Sequence, residues 1–359
     1  MGSRVLRFLL AFTQALLAAA LLWACKAPCA ADPGAVAALA FSPDGARLAV
    51  GLYRRVVVFD TTTWRPVAEF HNLEDAARAL AWHPGGSILA IGTGLPSRSG
   101  RVIFWDVSGA GAAKLGPVQQ DCVEAIAFGP DGRLCAAGSD DNKVRYFRDW
   151  AAGSSTELDE HNDRVASVAF SPRPNAVFLT GAMDKVVKAW DETSGRTVMN
   201  FDQSPAGITG LAFLPNGDQF VGSALDGWLR WWSISYNAKK RAWSGSLYRA
   251  FEAHNGAILA LGVSRNGTRL VTGGMDAVVT VWDAGSGGRM RDFKEAQHPV
   301  YAVALNPEGK LAAAGGRDGV VWIWDVDGNK LVQTLTFMDE RVEEMPAARP
   351  QTPRSGRTR

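Results

Sequence analysis

Short apolar runs alternate with polar turns along the chain from about residue 34 onwards. Apolar runs such as residues 165–170 precede a turn, and runs such as residues 270–273 follow one. Each unit continues with a third apolar run, as at 320–324, and closes with a more polar one, as at 331–334. Near-continuous apolar runs of this length predict strands that are covered on both faces. Because no stretch after residue 35 has a helical period, the pattern predicts an all-β protein of four-stranded units.

Two markers recur in the same register along these units. One is an aromatic residue followed by an acidic residue or its degenerate copy, from Phe59-Asp60 to Trp324-Asp325, and successive aromatics lie 46, 42, 43, 42, 50 and 42 residues apart. The other is a turn of the kind seen at residues 42–45, where proline fixes φ and glycine supplies a positive φ. Seven copies of one unit are therefore predicted. A four-stranded sheet that needs a neighbour on each face closes into a ring when it is repeated seven times.

These motifs resemble those of the WD40-repeat family over about residues 34–337. The resemblance implies a seven-bladed β-propeller of four-stranded antiparallel blades. It also implies that a histidine before the first strand, a hydroxyl, an aspartate and the tryptophan are joined by hydrogen bonds within one blade. Two sets are complete and form the predicted structural hydrogen-bond tetrads: His161, Thr180, Asp184 and Trp190, and His254, Thr272, Asp276 and Trp282. The first two blades lack the aspartate, which Tyr53-Arg54 and a loop at 93–101 replace.

The order of the strands predicts how the ring closes. The chain enters the first strand near Ala35, and the last unit carries its own fourth strand near residues 330–334. All four strands of every blade are then contiguous, so closure depends on side-chain packing between the first and seventh blades. The propeller is predicted over residues 32–337, followed by a disordered tail at 338–359 with three prolines and few apolar residues.

Residues 1–31 have the layout of a secretory signal peptide. Arg4 and Arg7 form a short positive region, residues 8–25 carry no charge, and small residues cluster at 27–31. The alternative is a retained signal-anchor helix, because this uncharged stretch lies at the short end of spanning length. Cys25 lies in a sequence that loosely resembles a bacterial lipobox and is a candidate lipidation site. These features predict export to the periplasm or the exterior, with membrane contact only through a retained anchor or lipid.

Charge and cysteine content narrow the classes of partner. Outside residues 1–31 the chain has 35 Lys and Arg against 36 Asp and Glu, and this balance predicts that no nucleic acid is bound. Cys122 and Cys135 are interpreted as buried apolar residues. No Cys/His cluster has zinc-site spacing, and no carboxylate cluster lies on the predicted axis. The sequence therefore predicts neither a metal nor another cofactor.

A histidine, a hydroxyl and an aspartate in one blade could also be read as a catalytic triad. Here the set occurs in two blades, threonine replaces serine, and tryptophan is a fourth member, so it is interpreted as a structural network. The sequence predicts a monomeric, non-catalytic scaffold that binds a protein or peptide. The alternative is a propeller enzyme, such as a metal-dependent lactonase or a quinone dehydrogenase.

The resemblance indicates two positions per blade at which a partner binds on the top face. One position follows the first apolar residue of the first strand, and the other precedes the aspartate. Apolar members gather on blades four to seven with charge at their borders, which predicts a docking surface. Its residues are Met183, Leu225, Leu259, Met275 and Tyr301, bordered by Arg317 and Arg78. The alternative is that these side chains fold over the rim and pack among themselves.

Blade five has a longer connection between its third and fourth strands, at about residues 234–246. It contains Lys239, Lys240, Arg241 and Trp243. Two interpretations remain open from the sequence. The connection is either a solvated loop held by one packed tryptophan or a second contact site that touches an anionic surface.

Overall fold

A computed structural model describes residues 34–109, 113–173 and 177–337. The predicted signal peptide, the candidate lipidation site Cys25 and the predicted disordered tail lie outside these residues. In the described part of the chain, the single turn of 3-10 helix at Trp150–Ala152 is the one helical element. No helix in this part is long and apolar enough to cross a membrane.

Within the described residues, strands form seven antiparallel sheets, each of them one blade. Blades are numbered in chain order. The strands are β1 (Ala38–Phe41), β2 (Arg47–Asp60) and β3 (Pro66–Ala76) in blade one; β4 (Ala79–Trp82), β5 (Ile88–Leu95), β6 (Ser99–Asp106) and β7 (Lys114–Leu115) in blade two; β8 (Val123–Phe128), β9 (Cys135–Ser139), β10 (Val144–Phe147) and β11 (Thr156–Leu158) in blade three; β12 (Val165–Phe170), β13 (Val177–Ala182), β14 (Val187–Asp191) and β15 (Thr197–Phe201) in blade four; β16 (Ile208–Phe213), β17 (Gln219–Ala224), β18 (Trp228–Asn237) and β19 (Ala242–Glu252) in blade five; β20 (Ile258–Val263), β21 (Arg269–Gly274), β22 (Val279–Asp283) and β23 (Arg289–Phe293) in blade six; and β24 (Val300–Leu305), β25 (Leu311–Gly316), β26 (Val320–Asp325) and β27 (Lys330–Thr336) in blade seven.

Blade one follows the four-stranded plan although it contains three named strands. Residues 48–51 of β2 pair with β1, and residues 53–59 pair with β3. Between these halves Arg54 has a φ of 60°, a left-handed conformation that suits a reversal of the chain. The long strand β2 therefore occupies both the second and the third strand positions. The predicted all-β, seven-bladed propeller of four-stranded antiparallel blades is confirmed.

Packing between neighbouring blades explains why the strands are apolar on both faces. Val177 and Leu179 of blade four share a core cluster with Phe220 of blade five, and Phe293 of blade six stacks on Trp324 of blade seven at 4.7 Å between ring centroids. Because each sheet is covered from both sides, most of its inner positions are apolar. The continuous apolar runs in the sequence follow directly from this arrangement.

Blade seven and blade one close the ring without exchanging a strand. Blade seven consists of four strands that are contiguous in sequence, β24–β27. Val36 and Leu39 pack with Ala302 and Ile323 in one buried cluster. The backbone N–H of Val36 also donates to the carbonyl oxygen of Gly316 at 2.9 Å. Side-chain packing and this hydrogen bond therefore hold the two ends of the propeller together.

The segment at 93–101, which is predicted as a loop, continues the hairpin of blade two. Strands β5 and β6 stay paired as far as Leu95 opposite Ser99. A Cβ atom on Gly100 would lie 1.9 Å from the carbonyl oxygen of Asp121, so only glycine allows the hairpin to approach blade three this closely. The loop prediction is wrong because polar and glycine residues here mark close packing of backbone on backbone.

Candidate protein-binding face

The top face carries the turns between the second and third strands and the segments that enter each first strand. In five blades the first strand contains a β-bulge close to this face. In blade five, for example, Ile208 pairs with Ala224 and Gly210 pairs with Ser223, so Thr209 is the extra residue. A bulge bends its strand and redirects the side chain of the extra residue. The extra residues in blades three to seven are Glu124, Ala166, Thr209, Leu259 and Tyr301.

In each of blades three to seven, the extra residue occupies the first of the two top-face positions that the sequence indicates. The second position is held beside the bulge by a backbone hydrogen bond. The N–H of Leu225 donates to the carbonyl oxygen of Gly207 at 3.0 Å, and the N–H of Met275 donates to that of Ala257 at 2.9 Å. In each case the acceptor lies two residues before the extra residue of the same blade. The backbone therefore places both positions of a blade side by side.

Five apolar side chains on blades four to seven form a partly exposed surface, which we call the apolar arc: Met183, Leu225, Leu259, Met275 and Tyr301. Met183 and Leu225 converge over Gly207, since a Cβ atom there would lie 2.7 Å from Met183 Sδ and 3.4 Å from Leu225 Cδ1. Arg317 is exposed on blade seven. All five apolar side chains keep some contact with solvent and some contact with the propeller.

Arg78, which the sequence places at the border of the docking surface, lies in a buried cluster between blades. Its side chain is 7% exposed. The Nη1 atom lies 3.0 Å from Glu124 Oε1 of blade three, and Nη2 lies 3.8 Å from Asp75 Oδ2. The guanidinium group therefore joins neighbouring parts of the ring. On this side of the top face Arg78 is thus engaged with Asp75 and Glu124, whereas blades four to seven carry the five apolar side chains.

Asp140 belongs to the same polar cluster and is unusually difficult to ionise. Burial, followed by the negative charge of Glu124, raises the pKa of the Asp140 carboxyl to about 7, while Arg164 and Arg78 act in the opposite direction. Its Oδ1 atom is buried and makes no hydrogen bond within the described structure. A buried carboxylate without a full set of partners destabilises the folded state.

We expect Asp140→Asn to raise the free energy of unfolding at pH 8, by up to about 4 kcal/mol, and to have little effect at pH 4. The pKa of Asp140 is near 7 in the folded state and near 3.8 when it is unperturbed, so folding is penalised increasingly as pH rises from 4 to 7. Chemical denaturation at both pH values measures this difference. Equal changes at pH 4 and pH 8 would contradict the explanation.

Asp184→Asn is the matched control, because its expected sign is opposite. Burial acts to raise the pKa of Asp184, but hydrogen bonds from His161 and from the N–H of Asn162 outweigh it, and the pKa is lowered. The ionised form therefore stabilises the fold above the ordinary pKa, and this contribution is lost as pH falls through the folded-state pKa. Asp184→Asn should lower stability at pH 8 and still at pH 4, and its effect should shrink only below the ordinary aspartate pKa of 3.8.

The residues of the first predicted tetrad form one chain of hydrogen bonds inside blade four. His161 Nδ1 lies 2.8 Å from Asp184 Oδ2, and His161 Nε2 lies 2.7 Å from Thr180 Oγ1. Trp190 Nε1–H donates to the same threonine oxygen at 2.8 Å. An ionised carboxylate only accepts hydrogen bonds, so His161 Nδ1–H donates to Asp184, and in the neutral ring Nε2 is left to accept from the Thr180 hydroxyl.

Blade six repeats this chain with the second predicted tetrad. His254 Nδ1 lies 3.0 Å from Asp276 Oδ1, and His254 Nε2 lies 2.7 Å from Thr272 Oγ1, which accepts from Trp282 Nε1–H at 2.9 Å. Thr180 and Thr272 are both fully buried. A nucleophile must be reached by its substrate, so these hydroxyls are placed to link strands and not to attack a ligand.

In the described part of the chain, the cysteines are buried and potential metal ligands are not grouped. Cys122 and Cys135 are buried free thiols, and burial raises the pKa of both. A thiol of this kind is a poor nucleophile at neutral pH. Among the residues that the structure describes, no three His, Cys, Asp or Glu side chains are grouped so as to hold a metal ion.

A family model with the description "WD domain, G-beta repeat" matches six segments of the chain. These segments together cover more than half of the 359 residues. They are residues 64–106, 115–148, 153–191, 195–233, 245–283 and 289–325. The matched segments correspond to blades two to seven and the last part of blade one.

Curated relatives are similar over the same repeats. The U3 small nucleolar RNA-associated protein 15 homolog of Xenopus tropicalis is 25% identical over 69% of this chain and 46% of its own length. The Periodic tryptophan protein 2 homolog of Caenorhabditis elegans is 24% identical over 59% of this chain and 22% of its own length. Transducin beta-like protein 3 of Bos taurus is 28% identical over 51% of this chain and 22% of its own length. The match thus spans about half the length of the first relative and less of the others.

The relatives overturn two predictions made from the sequence. The charge balance predicts no nucleic-acid partner, but the first relative is by name associated with a small nucleolar RNA, and this prediction is wrong. The same name contradicts the predicted export to the periplasm or exterior, which is also wrong. The net charge of the chain does not describe how charged side chains are distributed locally. The export prediction rested entirely on residues 1–31, outside the described residues.

Proposed function

The chain belongs to the WD40 repeat family, and on that premise we propose that it is a non-catalytic scaffold that binds a protein or peptide on the top face of its propeller. The observation that carries the proposal is the apolar arc. Five apolar side chains from four neighbouring blades are partly exposed there, and Leu259 and Tyr301 are the extra residues of β-bulges. Apolar side chains that stay partly exposed on one face of a propeller support an interaction site there.

The composition of the apolar arc favours a peptide-like partner. Methionine side chains are flexible and polarisable, so Met183 and Met275 can adapt to a partner's side chains. Tyr301 offers a large ring with a polar end, and tyrosine is enriched among residues that dominate binding energy. Met183 and Met275 directly follow β13 and β21, and Tyr301 lies in β24, so the backbone that carries these side chains is already ordered.

A propeller enzyme is the second candidate, and its chemistry would need a metal or a quinone. The buried threonines of the tetrads support the scaffold instead, because their hydroxyls are out of reach of a substrate. Elemental analysis and a visible spectrum of the purified protein distinguish the two functions. A stoichiometric metal or a quinone band would favour the enzyme.

We propose that the scaffold works within an assembly that contains RNA. The support comes from the relatives of Xenopus tropicalis and Xenopus laevis, whose names associate them with U3 small nucleolar RNA. Affinity capture with the full chain, with and without ribonuclease treatment, tests whether the chain belongs to an assembly that contains RNA. Protein partners held by the apolar arc should survive ribonuclease, and partners bridged by RNA should be lost.

We expect the double variant Leu225→Ala, Tyr301→Ala to weaken capture of the protein partner without lowering the melting temperature. Both side chains are only partly buried, so truncation removes contact area for the partner while the inter-blade core is kept. The matched control is Val67→Ala, Val332→Ala, which truncates two exposed apolar residues on the outer strands β3 and β27. Unchanged capture by the top-face variant would contradict the proposal, and so would unfolding of that variant.

A further inference from the structure

The third and fourth strands of blade five extend well beyond the body of the blade. Strand β18 has 10 residues, whereas the equivalent strands β14 and β22 have five each. Strands β18 and β19 stay paired as far as Asn237 opposite Ala242. The connection at 234–246 is therefore an ordered hairpin, which we call the blade-five hairpin. Its base lies beside Asp218, whose carbonyl oxygen accepts from the N–H of Ile234, at the end of the blade opposite to the apolar arc.

The tip of the blade-five hairpin is a local concentration of positive charge. Lys239, Lys240 and Arg241 are exposed, and the sequence has no acidic residue from 234 to 251. None of the three forms an ion pair with another residue in the described part of the chain. The nearby carboxylate of Asp218 is already held by Arg173 Nη1 and Nη2, at 2.5 and 2.8 Å. The three cations are thus left for an external anion.

An aromatic ring is fixed beside these cations. Tyr236 is 51% exposed, and its ring centroid lies 5.2 Å from that of Trp243. Trp243 packs in turn against the cluster that contains Phe201 and Ile234. The tyrosine ring is therefore exposed and yet held in place, so that a planar ligand can stack on it with little loss of conformational entropy.

The opposite side of the hairpin carries a row of hydroxyl groups. Ser235 Oγ lies 3.2 Å from Ser244 Oγ, and Ser233 Oγ lies 3.3 Å from Ser246 Oγ. Hydroxyls of this kind are frequent hydrogen-bond partners of phosphate and sugar oxygens. The hairpin thus combines cations, an exposed ring and hydroxyls within one short element.

We propose that the blade-five hairpin binds a single-stranded nucleic acid, with its phosphates at Lys239, Lys240 and Arg241 and a base stacked on Tyr236. Single-strand binding characteristically combines a cationic surface with aromatic stacking. An acidic peptide would use the cations alone and leave the fixed ring without a role. The surface is separate from the apolar arc, so this inference does not depend on the proposed function of the top face.

The test uses the purified full chain and a fluorescent 12-nucleotide oligouridylate. Binding is measured by fluorescence anisotropy over a range of salt concentrations. Lys239→Gln, Lys240→Gln, Arg241→Gln should weaken binding about tenfold or more and flatten the slope of log K against log salt by about 2, for three lost phosphate contacts. The matched control, Lys294→Gln, Lys310→Gln, Lys330→Gln, removes three exposed cations elsewhere. Every variant keeps the arginines of residues 338–359. The difference in affinity between the hairpin variant and the control variant therefore measures the contribution of the hairpin.

The ring is tested separately from the charge. Tyr236→Ala should weaken oligouridylate binding about tenfold and Tyr236→Phe should retain it, because stacking needs the ring and not the hydroxyl. Equal affinities of the triple hairpin variant and the parent would overturn the proposal. The proposal would also be overturned if an acidic peptide of equal charge bound as tightly as the oligonucleotide and if Tyr236→Ala changed the affinity for neither ligand.

Discussion

His161→Leu is expected to lower the free energy of unfolding by about 3–5 kcal/mol at pH 7. The side chains of His161 and Asp184 are 1% and 7% exposed. Leucine fills much of the same space but donates no hydrogen bond, so it leaves a buried carboxylate that has lost its main side-chain partner. Thr180 also loses a partner within the same network. Urea denaturation at pH 7 measures the change.

The pH dependence separates this mechanism from a simple loss of packing. The lowered pKa of Asp184 means that the hydrogen bond stabilises the fold above the ordinary aspartate pKa and less as pH falls. The deficit of the variant should therefore shrink as pH falls below the ordinary aspartate pKa of 3.8. His254→Leu should behave in the same way in blade six, since its network is equivalent. His71→Leu, at an exposed ion pair with Glu69, should change stability by less than about 0.5 kcal/mol. A deficit that does not vary with pH would contradict the role given to the carboxylate.

Gly315→Ala is expected to open the ring at the junction of blade seven and blade one. A Cβ atom on Gly315 would lie 2.6 Å from Val36 Cγ1 and 2.8 Å from Val36 Cβ. Overpacking of a tight core costs about 1–3 kcal/mol. Here the strain falls on an interface that no shared strand spans, so β1 should exchange its amide hydrogens faster. Hydrogen exchange followed by mass spectrometry measures this opening.

Gly273→Ala provides the matched control inside the ring. A Cβ atom there would lie 2.5 Å from Val300 Cγ1, almost the same approach between blade six and blade seven. The chain from β23 to β24 connects those blades directly, so we expect a similar loss of overall stability with less local opening. Similar hydrogen exchange in β1 for both variants would show that the closing interface is no weaker than the others.

Part of the candidate site follows from the sequence, and part of it depends on contacts between distant residues. The repeat spacing identifies equivalent positions in each blade, and the structure brings Met183 and Leu225 together over Gly207. The position of Arg78 could not be inferred in this way. Its burial depends on Glu124, 46 residues away in the next blade, and no local pattern encodes that ion pair.

The charge of the chain shows the same limit. A balance of 35 cations against 36 anions outside residues 1–31 describes the long-range field and not a single hairpin. The connection at 234–246 is already visible in the sequence as a basic segment with one tryptophan. Only the pairing of β18 with β19 turns it into a rigid element with a supported ring.

The sequence by itself determined the strands, the turns, their sevenfold repetition and therefore the closed propeller, because each of these depends on residues within about fifty positions of one another. The tertiary structure alone decided which residues become bulges, how Asp140 and Arg78 are buried, and how far the blade-five hairpin extends. These features arise from register and packing between strands of different blades. A residue's neighbours across such an interface are fixed only when the ring is assembled.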